Sequence, residues 1–408
     1  MRGKRRIGVH ETAMTWIGLA MVVLTGLVAC TPAKVEPEVV KITILVGFST
    51  GTDNRQIELH RQLAREFNAS HLDIQIDFQT VNHVESAEKY RQMVLEGHSP
   101  DLVLPIGVAA LSAWQDEWLD LMPLLRKHGV DLGDFHETPL KALNYPASLN
   151  ALPLGIYPSV LFYNVDMFER AKLPQPPHRF GTDGWTYDAL LEHAKKLTRD
   201  RSGKNPTDKG FDAERIVQYG YDGTDWAPLL VWPAKFGGSA LGVSDDGRTA
   251  QTNSQGWKDS FRYLRDSIHT WFVRPASGGN NASPVYGEND PIGSNTTAMW
   301  EAFSWIQYAW SGWNSNFRWD VAAIPAGSSG KVVAQSNLEL GAIPVGARHP
   351  EQSLEVLLWL CQPDIQRRLA ASWGCIPIRK SLGLSWIEDQ KKINPTVDWP
   401  VFIEAIDW

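Results

Sequence analysis

Ile42, Ile44 and Val46 stand in a short apolar run that predicts a strand, which residues 47–52 (GFSTGT) end as a loop. The period then changes. From residue 55 to 68 the apolar positions Leu59, Leu63, Ala64 and Phe67 recur at helical spacing, whereas Ile74, Ile76 and Phe78 alternate with Asp73, Gln75, Asp77 and Gln79 as a strand does. A helix over about residues 86–96 and a buried strand at residues 102–104 complete a β-α-β-α-β order. Such an order demands a parallel sheet with right-handed crossovers, and ligands of such sheets gather beyond the carboxyl ends of the strands. Here those ends are residues 48–53 and 105–108.

A second body begins near Leu149. Residues 160–165 predict a strand, 167–172 a short helix and 174–184 a loop with three prolines. Thr186 is the N-cap of a longer helix, Asp188 favours the positive end of its dipole, and Leu190, Leu191, Ala194 and Leu197 form its buried stripe. Residues 199–210 are polar and turn-rich; their acids miss the alternate positions of a calcium loop, so a solvated hairpin is expected. Residues 256–271 predict a helix, 277–294 a long loop and 297–312 an aromatic-rich segment. A turn and strand region follows through Ile324, Val332 and Val333, then a helix over residues 350–361 and another from Pro363.

The N-terminus has a different character. Arg2, Lys4, Arg5 and Arg6 precede an uncharged run, residues 12–29, that ends in Leu27, Val28, Ala29 and Cys30. This is the pattern of an export signal, removed from the working protein, and the small residues before Cys30 resemble the lipobox of bacterial lipoproteins. Residues 1–29 are therefore expected to be a lipoprotein signal peptide, Cys30 the lipidated residue and 30–40 an extended tether. The protein would then work outside the cytoplasm, held to the bacterial cell membrane. Cys361 and Cys375 remain, as a bridge or as two buried thiols.

Composition narrows the function. With 408 residues, 43% of them hydrophobic, the chain is long enough for two domains with sizeable cores. Its 39 Lys and Arg against 46 Asp and Glu give a net charge of −7, a poor match for nucleic acid, and loss of the basic signal makes it more acidic still. The 18 tryptophans outnumber both phenylalanine and tyrosine, which points to a surface that stacks on something. No CxxC or HExxH pattern is present and the 11 histidines are scattered, so neither metal nor cofactor is expected.

Several stretches resemble the extracellular solute-binding protein family 1, the maltose-binding-like receptors of bacterial ABC importers. They are residues 100–104 (PDLVL), 119–125 (LDLMPLL), 152–153 (LP) leading to 161–168 (LFYNVDMF), 184–191 (GWTYDALL), 298–300 (AMW) and 374–381 (GCIPIRKS), in the family's order. Only 27 residues follow Ser381, fewer than the family's usual C-terminal helices need. The resemblance implies an α/β fold of two lobes, with hinge crossings and a ligand held in the interlobe cleft. It places residues 41–147 plus 292–328 in lobe 1 and 148–291 plus 329–408 in lobe 2. It further implies a monomer that delivers its solute to a membrane permease.

A sugar offers apolar C–H faces and a rim of hydroxyls, so its receptor needs aromatic plates with polar side chains beside them. Trp300, Glu301 and Trp305 supply both close together, with Trp310 and Trp313 expected in the core. Asp225, Trp226 and Trp232 could face them from the other lobe, and Tyr157 precedes a crossing strand. Ser49, Thr52 and Asp53 lie in the first strand-to-helix loop, where Asp53 equally suits a helix cap. Asn337 and Glu339 lie near the second return crossing, and Arg379 suits a structural pairing. A secreted glycoside hydrolase would also be tryptophan-rich, but it needs a defined pair of carboxylates and none can be singled out. A receptor without catalytic residues, for a sugar or for another solute such as a polyol or glycerol phosphate, is therefore expected.

Overall fold

The computed structural model describes residues 39–223, 232–244, 247–276, 293–310 and 317–408. The signal peptide, Cys30, most of the tether, Asp225, Trp226, Trp313 and the Trp310 side chain lie outside the described residues.

The expected β-α-β-α-β order is present as β1 (Val40–Val46), α1 (Asn54–Ser70), β2 (Ile74–Thr80), α2 (His83–Leu95) and β3 (Leu102–Gly107), with β1 parallel to both β2 and β3. Helix α1 starts at a capping box: the Asp53 carboxylate accepts from the amides of Arg55 and Gln56 while the Gln56 side chain returns to the Asp53 amide. Short helices α3 (Val108–Ala113), α4 (Met122–Lys127) and α5 (Glu137–Ala142) lead into β4 (Leu152–Asn164), which is 13 residues long and buried throughout.

After β4 come α6 (Val165–Ala171) and α7 (Tyr187–Leu197), the latter capped by Thr186. A hairpin of β5 (Arg199–Asp200) and β6 (Ile216–Gln218) follows, its Asp200 carboxylate taken up by the amides of Ser202, Lys204 and Asp212. Next are β7 (Asp222–Gly223), α8 (Gln255–His269), β8 (Met299–Phe303), α9 (Trp305–Trp310) and β9 (Trp319–Ala322). The chain continues through β10 (Ser336–Ala342), α10 (Pro350–Leu360), α11 (Pro363–Trp373), β11 (Ile376–Pro377), α12 (Gly383–Ile393) and α13 (Pro400–Glu404).

β4 changes partners halfway along its length. Up to Pro158 it pairs with β10, and at Gly155 and Ile156 also with β11; from Ser159 it pairs with β8 and β9. The sheet order is β2-β1-β3-β10-β4-β8-β7. Around the first half, Ile44, Val46, Leu104 and Leu340 are buried with Leu63, Phe67, Leu357 and Leu369 of the helices. The second half has two covered faces. Val160 and Phe162 belong to the core that includes Trp319, Trp386, Trp399 and Phe402, while Leu161 and Tyr163 belong to a separate core with Met167, Phe168, Leu190, Ala194 and Met299.

The two halves of β4 are extended by different parts of the chain. Residues 292–328, expected with the first body, contain β8 and β9, which extend the second half of β4. Residues from 329 on, expected with the second, contain β10, α10 and α11, which return to β3, β1 and α1. β10 carries Asn337, Glu339 and Gly341 and does not read as a buried strand in the sequence. The tryptophan excess has a different use too. Trp118, Trp185, Trp257, Trp300, Trp319, Trp373, Trp386 and Trp399 are buried, so much of it builds cores rather than a stacking surface. Cys361 and Cys375 are buried free thiols.

Candidate functional site

Four segments meet where β4 changes partners. The Ser159 amide donates to the Gln335 carbonyl at 2.7 Å, and the Ser304 amide donates to the Pro158 carbonyl at 2.9 Å. In return the Gln335 amide donates to Ser159 Oγ at 2.8 Å. These bonds stitch the start of β10 and the turn between β8 and α9 to the middle of β4. Asn337 stands opposite Tyr157, and Phe303 opposite Ser159.

Trp305 opens α9 beside this junction. It is half-buried, stacks on Phe303 with centroids 4.3 Å apart, and meets Tyr157 edge-on at 5.3 Å. The Tyr157 hydroxyl donates to the Trp373 carbonyl at 2.9 Å, which fixes the ring that backs Trp305. Tyr157 itself is buried, so it supports the plate rather than presenting a face of its own.

The loop after β1 reaches the same region. Ser49 Oγ donates to Glu339 Oε1 at 2.8 Å. Gln56 holds the rest of the loop: its Nε2 donates to Thr50 Oγ1 at 2.7 Å and to the Ser372 carbonyl at 3.2 Å, and its Oε1 accepts from the Gly51 amide at 2.7 Å. Thr52 and Asp53 are exposed, and Asp53 caps α1. Beside Thr52 a cavity of about 530 Å³ opens between α1 and the turn from β2 into α2, walled by His60, Arg61, Phe78, Thr80 and Asn82. The His60 ring stacks on Phe78 at 4.8 Å and accepts from the Trp373 indole at 3.4 Å; burial pushes its pKa down to about 4, against the pull of Asp53.

Two of the expected ligand contacts prove to be interior groups. Trp300 is 1% exposed in β8, opposite Phe162, so no face is free to stack on a ligand. Glu301 is 3% exposed, and its Oε1 accepts from Lys235 Nζ at 2.5 Å while its Oε2 accepts from the Tyr187 hydroxyl at 2.7 Å. The acid beside Trp300 does have the polar partners that burial demands, and they are protein groups. Trp232 lies beside that ion pair, with the Lys235 ammonium 5.5 Å from its ring centre and Tyr187 edge-on at 5.5 Å. Arg379 is structural as expected: it donates to the Cys361 carbonyl and to Asp134.

Ser49, Tyr157, Trp305 and Asn337 are therefore brought together, Thr52 stands at the edge of the group, and Trp300 and Glu301 are withdrawn into the interior. Gln56 and Lys235 escaped the sequence reading. The first could have been found, because Gln three residues after Asp53 is the signature of a capping box; the second has no local signal. Among the described residues no three His, Cys, Asp or Glu side chains converge as a metal site.

Residues 62–396 match a family model described as bacterial extracellular solute-binding protein. In three dimensions the chain is similar to UspC of M. tuberculosis, with a TM-score of 0.72 and 21% identity over 90% of this chain and 88% of that one. It is also similar to the ABC substrate-binding protein Lmo0181 of Listeria monocytogenes, solved with cycloalternan, at TM-score 0.68 and 16% identity over 91% and 87%. Maltose-bound MalE3 of T. maritima matches at TM-score 0.62 and 20% identity over 87% and 85%. At these identities the likeness is one of fold, the two-lobed α/β fold.

Proposed function

Because the chain belongs to the bacterial extracellular solute-binding proteins, we propose that it is the receptor of an ABC importer, capturing a sugar or oligosaccharide between its lobes and delivering it to the permease. The observation that carries this is the junction on β4, where a Trp305 plate backed by Phe303 and Tyr157 adjoins the polar side chains of Ser49 and Asn337. An aromatic face beside hydrogen-bonding groups is what a sugar ring requires. The cycloalternan and maltose held by proteins of the same fold support the same class of ligand.

In this reading β1–β3, β10, α10 and α11 make the first lobe, β7–β9, α6–α8, α12 and α13 the second, and β4 crosses between them. Trp305 stacks on the sugar, Ser49, Thr52 and Asn337 bond its hydroxyls, and Trp232 approaches from the second lobe. Closure follows from the ligand's greater affinity for the closed form. Cys30 carries the lipid anchor, residues 31–38 the tether, and the receptor acts as a monomer.

Capture without cleavage is favoured over hydrolysis, because Glu301 is held by Lys235 and Tyr187 and is not available to act as a second carboxyl beside Glu339. The test is to incubate residues 39–408 with maltotriose, mannobiose and cycloalternan and to chromatograph the mixtures. Retention of an intact sugar is the expected result. Cleavage would make the protein a hydrolase, and retention of glycerol 3-phosphate or a polyol alone would remove the sugar.

A further inference from the structure

Residues 333–335 lead from the turn at residues 327–331 into β10, and their main-chain groups are held one after another. The Val333 carbonyl accepts from Lys235 Nζ at 3.0 Å, and the Ala334 amide donates to the Trp408 carbonyl at 3.3 Å. Gln335 is bonded to Ser159 through both its amide and its carbonyl. Lys235 meets the same stretch with its backbone as well. A Cβ added to Gly327 would stand 1.3 Å from the Lys235 carbonyl oxygen, so the turn packs directly on that residue, a close approach that only glycine permits.

The ammonium that holds Val333 is buried. Glu301 Oε1 of β8 accepts from it at 2.5 Å, and the rings of Tyr187 and Trp232 lie with their centres 5.8 and 5.5 Å away. Stability alone does not call for a charge here, because an apolar pair of similar volume in a buried site is often as stable as the ion pair it replaces. An apolar side chain can fill the space but cannot hold a carbonyl. What Lys235 supplies beyond packing is therefore the bond to Val333, and Glu301 balances the charge of the group that makes it.

We propose that Lys235 is a positioning residue for capture: its ammonium fixes the Val333 carbonyl and so holds residues 333–337 in the arrangement in which Asn337 and Trp305 meet the ligand. This rests on the sugar reading of the junction. Val333 lies two residues before Gln335, which is bonded to Ser159, and Ser159 stands opposite the Phe303 ring on which Trp305 stacks. It lies four residues before Asn337, which stands opposite Tyr157. Release of the carbonyl leaves the fold standing but frees this stretch, which ligand must then order each time it binds. Ordering one such segment lowers affinity about tenfold.

The test separates position from stability with two variants of residues 39–408. Glu301→Gln keeps Lys235 and gives it an amide oxygen to donate to, but leaves a buried charge uncompensated. Lys235→Met combined with Glu301→Gln leaves neither charge and keeps an acceptor for the Tyr187 hydroxyl, but nothing reaches Val333. The double variant should be the more stable of the two in urea and yet have the looser crossing. Without any sugar, amide hydrogen exchange at Ala334 and Gln335, referred to Ile44 in β1, should quicken about tenfold in the double variant and stay at the wild-type level in Glu301→Gln. Affinity for maltotriose should fall about tenfold in the double variant only. Wild-type exchange in the double variant, exchange that follows urea stability across the two, or a double variant that does not fold would overturn the proposal and make the pair purely structural. Should Glu301→Gln not fold, the double variant against wild type decides alone. Maltotriose that fails to bind wild type counts against the sugar reading and leaves the exchange result standing, whereas full affinity with a loosened crossing refutes the link to capture.

Discussion

Lys235 and Glu301 form an ion pair that water does not reach, 2.5 Å long, its ammonium also bonded to the Val333 carbonyl at 3.0 Å. The pair joins the segment containing Trp232 to β8 and to the chain just before β10. Removing one partner leaves the other charge buried and alone, so Glu301→Gln or Lys235→Met should cost about 3 to 5 kcal/mol in urea unfolding. Replacing both with apolar residues should cost much less.

Trp300 and Trp305 are close in sequence and should behave oppositely. Trp300→Ala empties a core position and should cost about 3 to 5 kcal/mol of stability, with affinity unchanged in the folded fraction. Trp305→Ala should leave folding nearly intact and weaken sugar binding by about 1 to 3 kcal/mol, roughly five- to 150-fold. Paired unfolding and ligand titrations on both variants check this.

His60 should make the protein acid-sensitive. Its pKa is depressed from 6.5 to about 4 by burial, so the unfolded chain binds the proton more readily than the folded one. The associated stability is fully present above pH 6.5 and is lost as pH falls through about 4, on the order of 3 kcal/mol. Melting temperature followed from pH 7 to pH 4 should show this slope, and His60→Phe should flatten it.

What the sequence disclosed depended on exposure. α1, β2 and α2 each have one face toward water, so their periods could be read. All five residues of β8 are buried, so no alternation marked it as a strand. With that signal missing, nothing local distinguished Trp300, inside the strand, from Trp305 beyond the turn at Ser304. β10 was missed for the opposite reason, since it buries Glu339 where a hydrophobic residue would be expected. Local rules fail most readily where a protein keeps polar groups inside.

The two thiols give a simple check on the interior. Cys361 and Cys375 are buried, and burial pushes the Cys361 thiol up to about 12, leaving almost no reactive thiolate at neutral pH. A maleimide should label neither in the native chain 39–408 and both in denaturant. Resistance to labelling in denaturant without reductant would indicate a bridge.

Thermal melting of residues 39–408 with maltose, maltotriose, mannobiose, cycloalternan or glycerol 3-phosphate tests sugar capture most directly. A ligand at one hundred times its Kd stabilises by about 2.7 kcal/mol, a rise of about 3 to 4 °C in Tm for a chain of this size. At least one sugar should produce that rise, Trp305→Ala should diminish it, and glycerol 3-phosphate should produce none. A rise with glycerol 3-phosphate and with no sugar, or a full sugar-induced rise in Trp305→Ala, would contradict a sugar receptor built around Trp305.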